Sequence, residues 1–161
     1  MKQKSINPEN KKTKLKLRLV EKKDTKFIFR LYNNNVLEKK FFSSKKVNFK
    51  NHEKWLKNKI KEKMFFICLR QKEIGYVKFE KIDKKNLSVS IAVKKIYKKK
   101  GYGKYMLIKA LNKKKISKYN VWAKVKSKNY VSKNFFLNLG FKLIKNDEYM
   151  VKANSNEKIY K

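Results

Sequence analysis

The chain is short of the residues that punctuate or staple a fold, with 4 glycines, 1 proline and 1 cysteine among 161 residues. The lone cysteine, Cys68, excludes an internal disulfide. Its place in the apolar run MFFICL is that of a small buried hydrophobe rather than a catalytic thiol. No apolar run approaches the roughly 20 residues that span a bilayer. The N-terminal stretch MKQKSINPENKKTK has no apolar core of a secretory signal, so the expectation is a soluble, cytoplasmic protein without a membrane partner. Arginine is also scarce: Arg18, Arg30 and Arg70 are the only ones among 47 basic residues. Base-edge and phosphate readers draw on the bidentate guanidinium fork, and its scarcity counts against a dedicated nucleic-acid reader.

With 12 acidic residues against those 47, the formal charge is +35. The lysines run along the whole chain beside abundant asparagine and isoleucine, the skew that an AT-rich genome imposes on any surface. Such a field still attracts polyanions at low salt, so nucleic acid is expected only as a nonspecific partner. A hydrophobic fraction of 41% is too high for a disordered chain despite 37% charged residues. The length fits one domain, placed at residues 13–152 between a basic tail (1–12) and a C-terminal tail (153–161).

Periodicity divides that domain into strands and helices. KLKLRLV alternates, which puts Leu15, Leu17 and Leu19 on one strand face. DTKFIFRLYNNN reads as a helix with Asp24 as its N-cap and its end in the asparagines. FKNHEKWLKNKIKEK is an amphipathic helix with Trp55, Leu56 and Ile60 inward. MFFICLR, IGYVKFEKI and LSVSIAV follow as three strands joined by hairpins, with Gly75 in the first hairpin. YGKYMLIKALNKK is a helix carrying Tyr105, Leu107, Ile108 and Leu111. YNVWAKVK is a strand, VSKNFFLNLG a short helix capped by Gly140, and FKLIK with EYMVK a closing hairpin. Trp55 and Trp122 are expected in the core. The fold class is mixed α/β (α+β), with a sheet of six to seven strands and about four helices.

Gly101 and Gly103 stand one residue apart where the strand LSVSIAV gives way to a helix. In a glycine-poor chain this marks a loop whose backbone closely approaches something. An anion there would meet unpaired N–H groups and the positive end of the helix dipole. Each glycine taken alone also fits an ordinary turn or cap, and Asn129 and Ser132 could simply cap the next helix.

Taken together these residues resemble the GNAT superfamily of N-acetyltransferases, over about residues 14–152. The family's R/Q-x-x-G-x-G/A loop is matched by Lys98-Lys99-Lys100-Gly101-Tyr102-Gly103 after Ile91, Ala92 and Val93, with Lys98 in the Arg/Gln place. Its later N-x-x-S-x-x-x-Y/F-x-x-x-G-F signature is matched by Asn129, Ser132, Phe136, Gly140 and Phe141. The resemblance implies a mostly antiparallel GNAT-type sheet and acetyl-CoA as co-substrate, attacked directly by an amine in a ternary complex. It implies that Ile91 (through its backbone N–H), Ala92 and Val93 receive the thioester and pantetheine arm. Lys98 to Lys104 would cradle the pyrophosphate, and Asn129, Ser132 and Phe136 would contact the cofactor. No metal is implied.

The first half is similar to GNAT enzymes of bacterial nonulosonic-acid (pseudaminic-acid) pathways. Asn33 and Asn34, Phe42 and Ser44, His52 and Trp55, and Gly75 fall in that pattern, whereas Tyr32 and Glu38 replace the two arginines of its first block and Lys78 a later one. This implies an acceptor site at Asn33, Asn34, His52, Trp55, Lys78 and Glu80, and a nucleotide-linked amino sugar as the acceptor. Many relatives carry tyrosine at the Phe136 position to protonate the leaving thiolate, and phenylalanine cannot do so. Tyr130 or water is left as the acid, and Glu80 or His52 as the base. His52 could equally be a partly exposed helix residue beside Trp55, and Glu80 a solvated lysine partner. Two other functions stay open: acetylation of protein α-amines, and a non-catalytic basic module that binds nucleic acid through lysines and tyrosines. A monomer or a homodimer is compatible with the sequence.

Overall fold

The computed structural model describes residues 14–37 and 45–151. The tails expected at 1–12 and 153–161, and Glu38, Phe42 and Ser44, lie outside them. Seven strands make one sheet: β1 (Lys16–Leu19), β2 (Phe65–Arg70), β3 (Lys72–Lys81), β4 (Asn86–Val93), β5 (Asn120–Lys124), β6 (Lys142–Lys145) and β7 (Glu148–Val151). Their spatial order is β1-β2-β3-β4-β5-β7-β6, and every neighbouring pair is antiparallel except β4 with β5. Four helices complete the fold: α1 (Thr25–Leu37), α2 (Phe49–Glu62), α3 (Tyr102–Leu111) and α4 (Tyr130–Leu137). This is the mixed, mostly antiparallel architecture expected. No helix among the described residues is long and apolar enough to cross a membrane.

Alternation along the strands builds two cores. Phe66, Cys68, Val77, Phe79, Leu87, Val89, Val121 and Ala123 face α3 and α4 and pack with Met106, Leu107, Ala110 and Phe136. Phe65, Ile67, Tyr76 and Ala92 face the other way and pack with Ile28 and Leu31 of α1 and Leu56 of α2. Phe65 and Phe79, both buried, lie on opposite faces, and each such side chain stabilises the fold by about 2–3 kcal/mol.

Several expectations are corrected. Leu15 and Leu17 pack on the core, but Leu19 is exposed: the four-residue edge strand β1 ends there, and Val20 enters the second core instead. Asp24 is not the N-cap of α1. It closes a single 3-10 turn (Lys22–Asp24) whose N-cap is Glu21, and it is fully buried. Its carboxylate accepts two hydrogen bonds from the Arg18 guanidinium (2.7 and 2.8 Å) and one from the Glu21 N–H (2.8 Å). That bidentate pair satisfies a buried charge that an exposed capping position would not need to.

Helix α1 runs past the asparagines to Leu37, because Asn35 bonds back to the Leu31 carbonyl (2.7 Å) inside the helix. Helix α3 stops at Leu111, short of the lysines, and the turn after it drops Ile116 into the core. Both tryptophans are half-buried rather than central.

Gly75 lies in the β2–β3 hairpin as expected, within its second strand. The β2–β3 turn is made at Gln71, whose φ is 65°, and Gly75 lies inside β3, where the register with β2 skips one residue. A Cβ on Gly75 would collide with the Ala92 carbonyl and come within 3.1 Å of the Met106 sulfur. The bare backbone is what lets α3 seat on the sheet.

Candidate active site

The parallel pair β4–β5 is short. It comprises Asn86 with Asn120, Leu87 with Val121 and Ser88 with Trp122, while β4 stays paired with β3 as far as Val93. Beyond Ser88 the two strands diverge, which opens a V in the middle of the sheet. Hydrogen bonds at both ends of the β3–β4 ladder fix which groups face the V. The Ile82 N–H donates to the Asn86 carbonyl (3.0 Å) and the Lys94 N–H donates to the Ile74 carbonyl (2.8 Å). Even-numbered residues of β4 therefore bond β3, and odd-numbered ones turn their backbone groups the other way. The Asn120 N–H donating to the Lys85 carbonyl (2.9 Å) agrees with this phase. Past the last β5 pair, the peptide groups of Ile91 and Val93 thus point into the opening.

The glycine loop closes the end of β4. After Val93 come a 3-10 turn (Lys95–Tyr97), the residues Lys98 to Lys100, and Gly101 as the N-cap of α3. Lys99 (φ 58°) and Gly101 (φ 78°) both take left-handed conformations, and the first helical hydrogen bond runs from the Tyr105 N–H to the Gly101 carbonyl (3.1 Å). The amides of Tyr102, Gly103 and Lys104 in the first turn thus have no intrahelical acceptor, and Lys98, Lys99, Lys100 and Lys104 flank them. Gly103 has a packing reason as well: a Cβ there would lie 3.3 Å from the Phe135 ring of α4.

The second signature is visible as capping. The Asn129 side chain accepts from the Ser132 N–H (3.1 Å) at the start of α4. At the other end Gly140 has φ 78°, its N–H donates to the Leu137 carbonyl (3.0 Å), and the Phe141 N–H reaches back to the Phe136 carbonyl (3.1 Å). This paired closure is the Schellman motif, and the hydrophobic contact that accompanies it is Phe136 on Phe141, with ring centroids 5.0 Å apart. Phe136 is buried in that contact. Tyr130, the first residue of α4, is exposed and has Lys133 over its ring.

On the opposite face the expected acceptor residues fall into one cluster, apart from the asparagines. Trp55 lies 5.2 Å from the His52 ring, and the Lys78 ammonium sits 5.0 Å over the Trp55 ring. Glu80 is held by Lys78 (2.9 Å) on one oxygen and by Lys59 (3.1 Å) on the other, and Lys59 also binds Glu62. Lys59 had no place in the sequence expectations, although its spacing from Trp55 puts both on one helix face. Burial alone would raise the Glu80 carboxyl, but the two lysines outweigh it and hold it below the ordinary carboxylate value. A carboxylate so neutralised is a weak base near neutral pH.

His52 is not partly exposed. It is 4% exposed, against Phe29 and Trp55, and its Nε2 has no partner among the described residues. Burial and then the Lys78 charge lower its pKa, so the imidazole is neutral. Asn33 clamps the backbone of Val47 by two hydrogen bonds of 3.1 Å, which fixes the chain entering α2, and Asn34 is exposed. Burial pushes the Cys68 thiol up to about 11, which keeps it inert.

The model of the acetyltransferase (GNAT) domain matches residues 14–142, and the chain belongs to this family of acyltransferases. Among solved structures it is similar to yncA of Salmonella typhimurium, determined with its cofactor acetyl-CoA. Identity there is 18%, with 88% of this chain and 95% of that one covered and a TM-score of 0.77. FdhC, a nucleotide-linked sugar GNAT, is 22% identical, with 87% of each chain covered and a TM-score of 0.68. The ribosomal-protein-alanine N-acetyltransferase of Brucella melitensis is 16% identical, with 84% of this chain and 95% of that one covered and a TM-score of 0.72. A search of curated proteins by sequence found no match.

Proposed function

We propose that this acetyltransferase moves an acetyl group from acetyl-CoA to a primary amine by direct attack in a ternary complex, with a nucleotide-linked amino sugar as acceptor. The observation that carries the reading is the V between β4 and β5, with the Ile91 and Val93 peptides turned into it and the α3 N-terminus beside its open end. Acetyl-CoA is the co-substrate of the family, and when bound it supplies a thioester carbonyl. The Ile91 N–H would receive the oxygen of that carbonyl, and the Val93 peptide would hold the pantetheine chain. The amides of Tyr102, Gly103 and Lys104, with the surrounding lysines, suit the pyrophosphate. Asn129 spends its side-chain oxygen on the helix cap, so any contact with the cofactor falls to its amide nitrogen and to Ser132.

The acceptor side is the cluster of Trp55, Lys78, Glu80 and His52 around α2 and β3. Its support is the sequence likeness to the nucleotide-sugar enzymes and the fold shared with FdhC. Glu80 acts there as a charged anchor for the acceptor rather than as a strong base. With Phe136 buried, Tyr130 or water protonates the leaving thiolate.

Two measurements test the reading. Calorimetry with acetyl-CoA at physiological salt should show a saturable heat, and its absence would remove the enzyme reading in favour of a basic nucleic-acid module. An acceptor screen should then give acetyl transfer to UDP-linked amino sugars. Transfer to peptide N-termini alone would replace the sugar by a protein α-amine.

A further inference from the structure

The vertex of the V is held by side chains as well as by backbone. Asn86, in the first β4–β5 pair, accepts on its Oδ1 from the Trp122 indole N–H (3.0 Å) and the Asn120 amide (3.2 Å). Its own Nδ2 donates to Asp83 Oδ2 at 2.7 Å. Asp83 Oδ1 in turn accepts from the N–H groups of Lys85 (2.7 Å) and Asn86 (2.9 Å). The turn leading into β4 is thereby tied across to β5 immediately before the strands separate. Trp122 stands in the last pair before the opening.

We propose that the Asp83–Asn86 network is a positioning clamp for acetyl-CoA, which sets the angle at which β5 leaves β4 and so the width of the slot that the Ile91 and Val93 peptides line. This inference rests on the acetyltransferase reading. The physical ground is leverage. Three residue pairs form a short junction between strands that then run free of each other. Ile91 lies three residues beyond Ser88, about 10 Å along the strand. Opening the vertex by about 10° would widen the slot at that depth by more than about 1 Å, a displacement large enough to impair orientation. The clamp bonds are exposed or half-buried, so they add little to stability, and their value lies in geometry.

The test measures acetyl-CoA affinity by calorimetry and Tm on the full chain for Asn86→Ala, Asn86→Asp and the double variant Asp83→Asn/Asn86→Asp. Asn86→Ala should weaken acetyl-CoA binding about tenfold while Tm stays within about 4 °C of the wild type. Asn86→Asp alone should be as weak, because it sets two carboxylates face to face. The double variant exchanges donor and acceptor. The amide at 83 can then donate to the new carboxylate, which still accepts from Trp122 and Asn120, while the amide oxygen at 83 still receives the backbone N–H groups of positions 85 and 86. Its affinity should return to within about threefold of wild type.

Wild-type affinity in Asn86→Ala would overturn the clamp and leave the acetyltransferase reading intact. So would a loss that follows Tm through all three variants and is not recovered in the exchange. A wild-type chain that does not bind acetyl-CoA would overturn both.

Discussion

The two faces of the sheet are built on different principles. On the α3/α4 side the groups proposed for acetyl-CoA are backbone: the Ile91 and Val93 peptides in the gap of the sheet, the first-turn amides of α3 and the capped ends of α4. On the α1/α2 side the groups proposed for the acceptor are side chains that already satisfy one another, Glu80 between two lysines and Trp55 between His52 and Lys78. A backbone site demands particular residues only where the chain must turn or cap. A side-chain site can be rebuilt from many combinations. The first kind therefore suits the part of a reaction that stays constant, and the second the part that varies between enzymes.

The sharpest way to break this division is to damage one face and look for an effect on the other. Asp24→Ala strands the partly buried Arg18 guanidinium beneath α1 and should cost about 3 kcal/mol in urea unfolding, with acetyl-CoA affinity of the folded protein unchanged. Gly75→Val should fail both tests, losing about 2 kcal/mol and weakening acetyl-CoA, because the new side chain meets Ala92 and Met106 where the faces join through α3. Unaltered affinity there would mean that the seat of α3 does not matter to the cofactor.

Gly101→Val should cost only about 1–2 kcal/mol of backbone strain, since nothing lies within 4 Å of a Cβ at that position. It should weaken acetyl-CoA at least tenfold, about 1.4 kcal/mol, on the same calorimetric assay.

A pH titration probes the side-chain face alone. His52 is neutral in the fold, and its pKa lies below the ordinary 6.5 because of burial and then Lys78. Below pH 6.5 the unfolded chain binds a proton that the folded one refuses. Stability should therefore fall on acidification, by up to about 1.4 kcal/mol per pH unit until the folded pKa is reached. His52→Phe should flatten the unfolding free energy just below pH 6.5, and an unchanged slope would assign it to other groups. The smallest effect is expected from Glu80→Gln, with stability within about 1 kcal/mol, acetyl-CoA affinity unchanged and acceptor KM raised. A fall in kcat of about a hundredfold at constant KM would instead make Glu80 the base.

What could be read from the sequence follows the same division. Gly101, Asn129 and the Gly140–Phe141 pair were legible because a left-handed residue, a helix N-cap and a Schellman closure each admit few residue types. The strands were legible from apolar runs bounded by turns, with alternation plain in the first. Asp24 and His52 were misread, and the packing role of Gly75 went unseen, because long-range neighbours decide them. Arg18 claims the Asp24 carboxylate, Met106 needs the space at Gly75, and Phe29 with Trp55 buries His52. Lys59 and Asn86 carried no local signal at all, since a lysine in a lysine-rich helix and an asparagine after a turn are ordinary in this chain.

The divergence of β4 from β5 leaves the sheet one strand short over its last residues, with peptide hydrogens at Ile91 and Val93 that no protein carbonyl of β5 covers. On the proposed reading, an extended ligand bearing amides of its own would complete the ladder as a temporary strand. Deuterium uptake at these two positions should be fast in the free protein and slow in the complex. The binding event is thus recorded in the sheet itself, whichever amine waits on the other face.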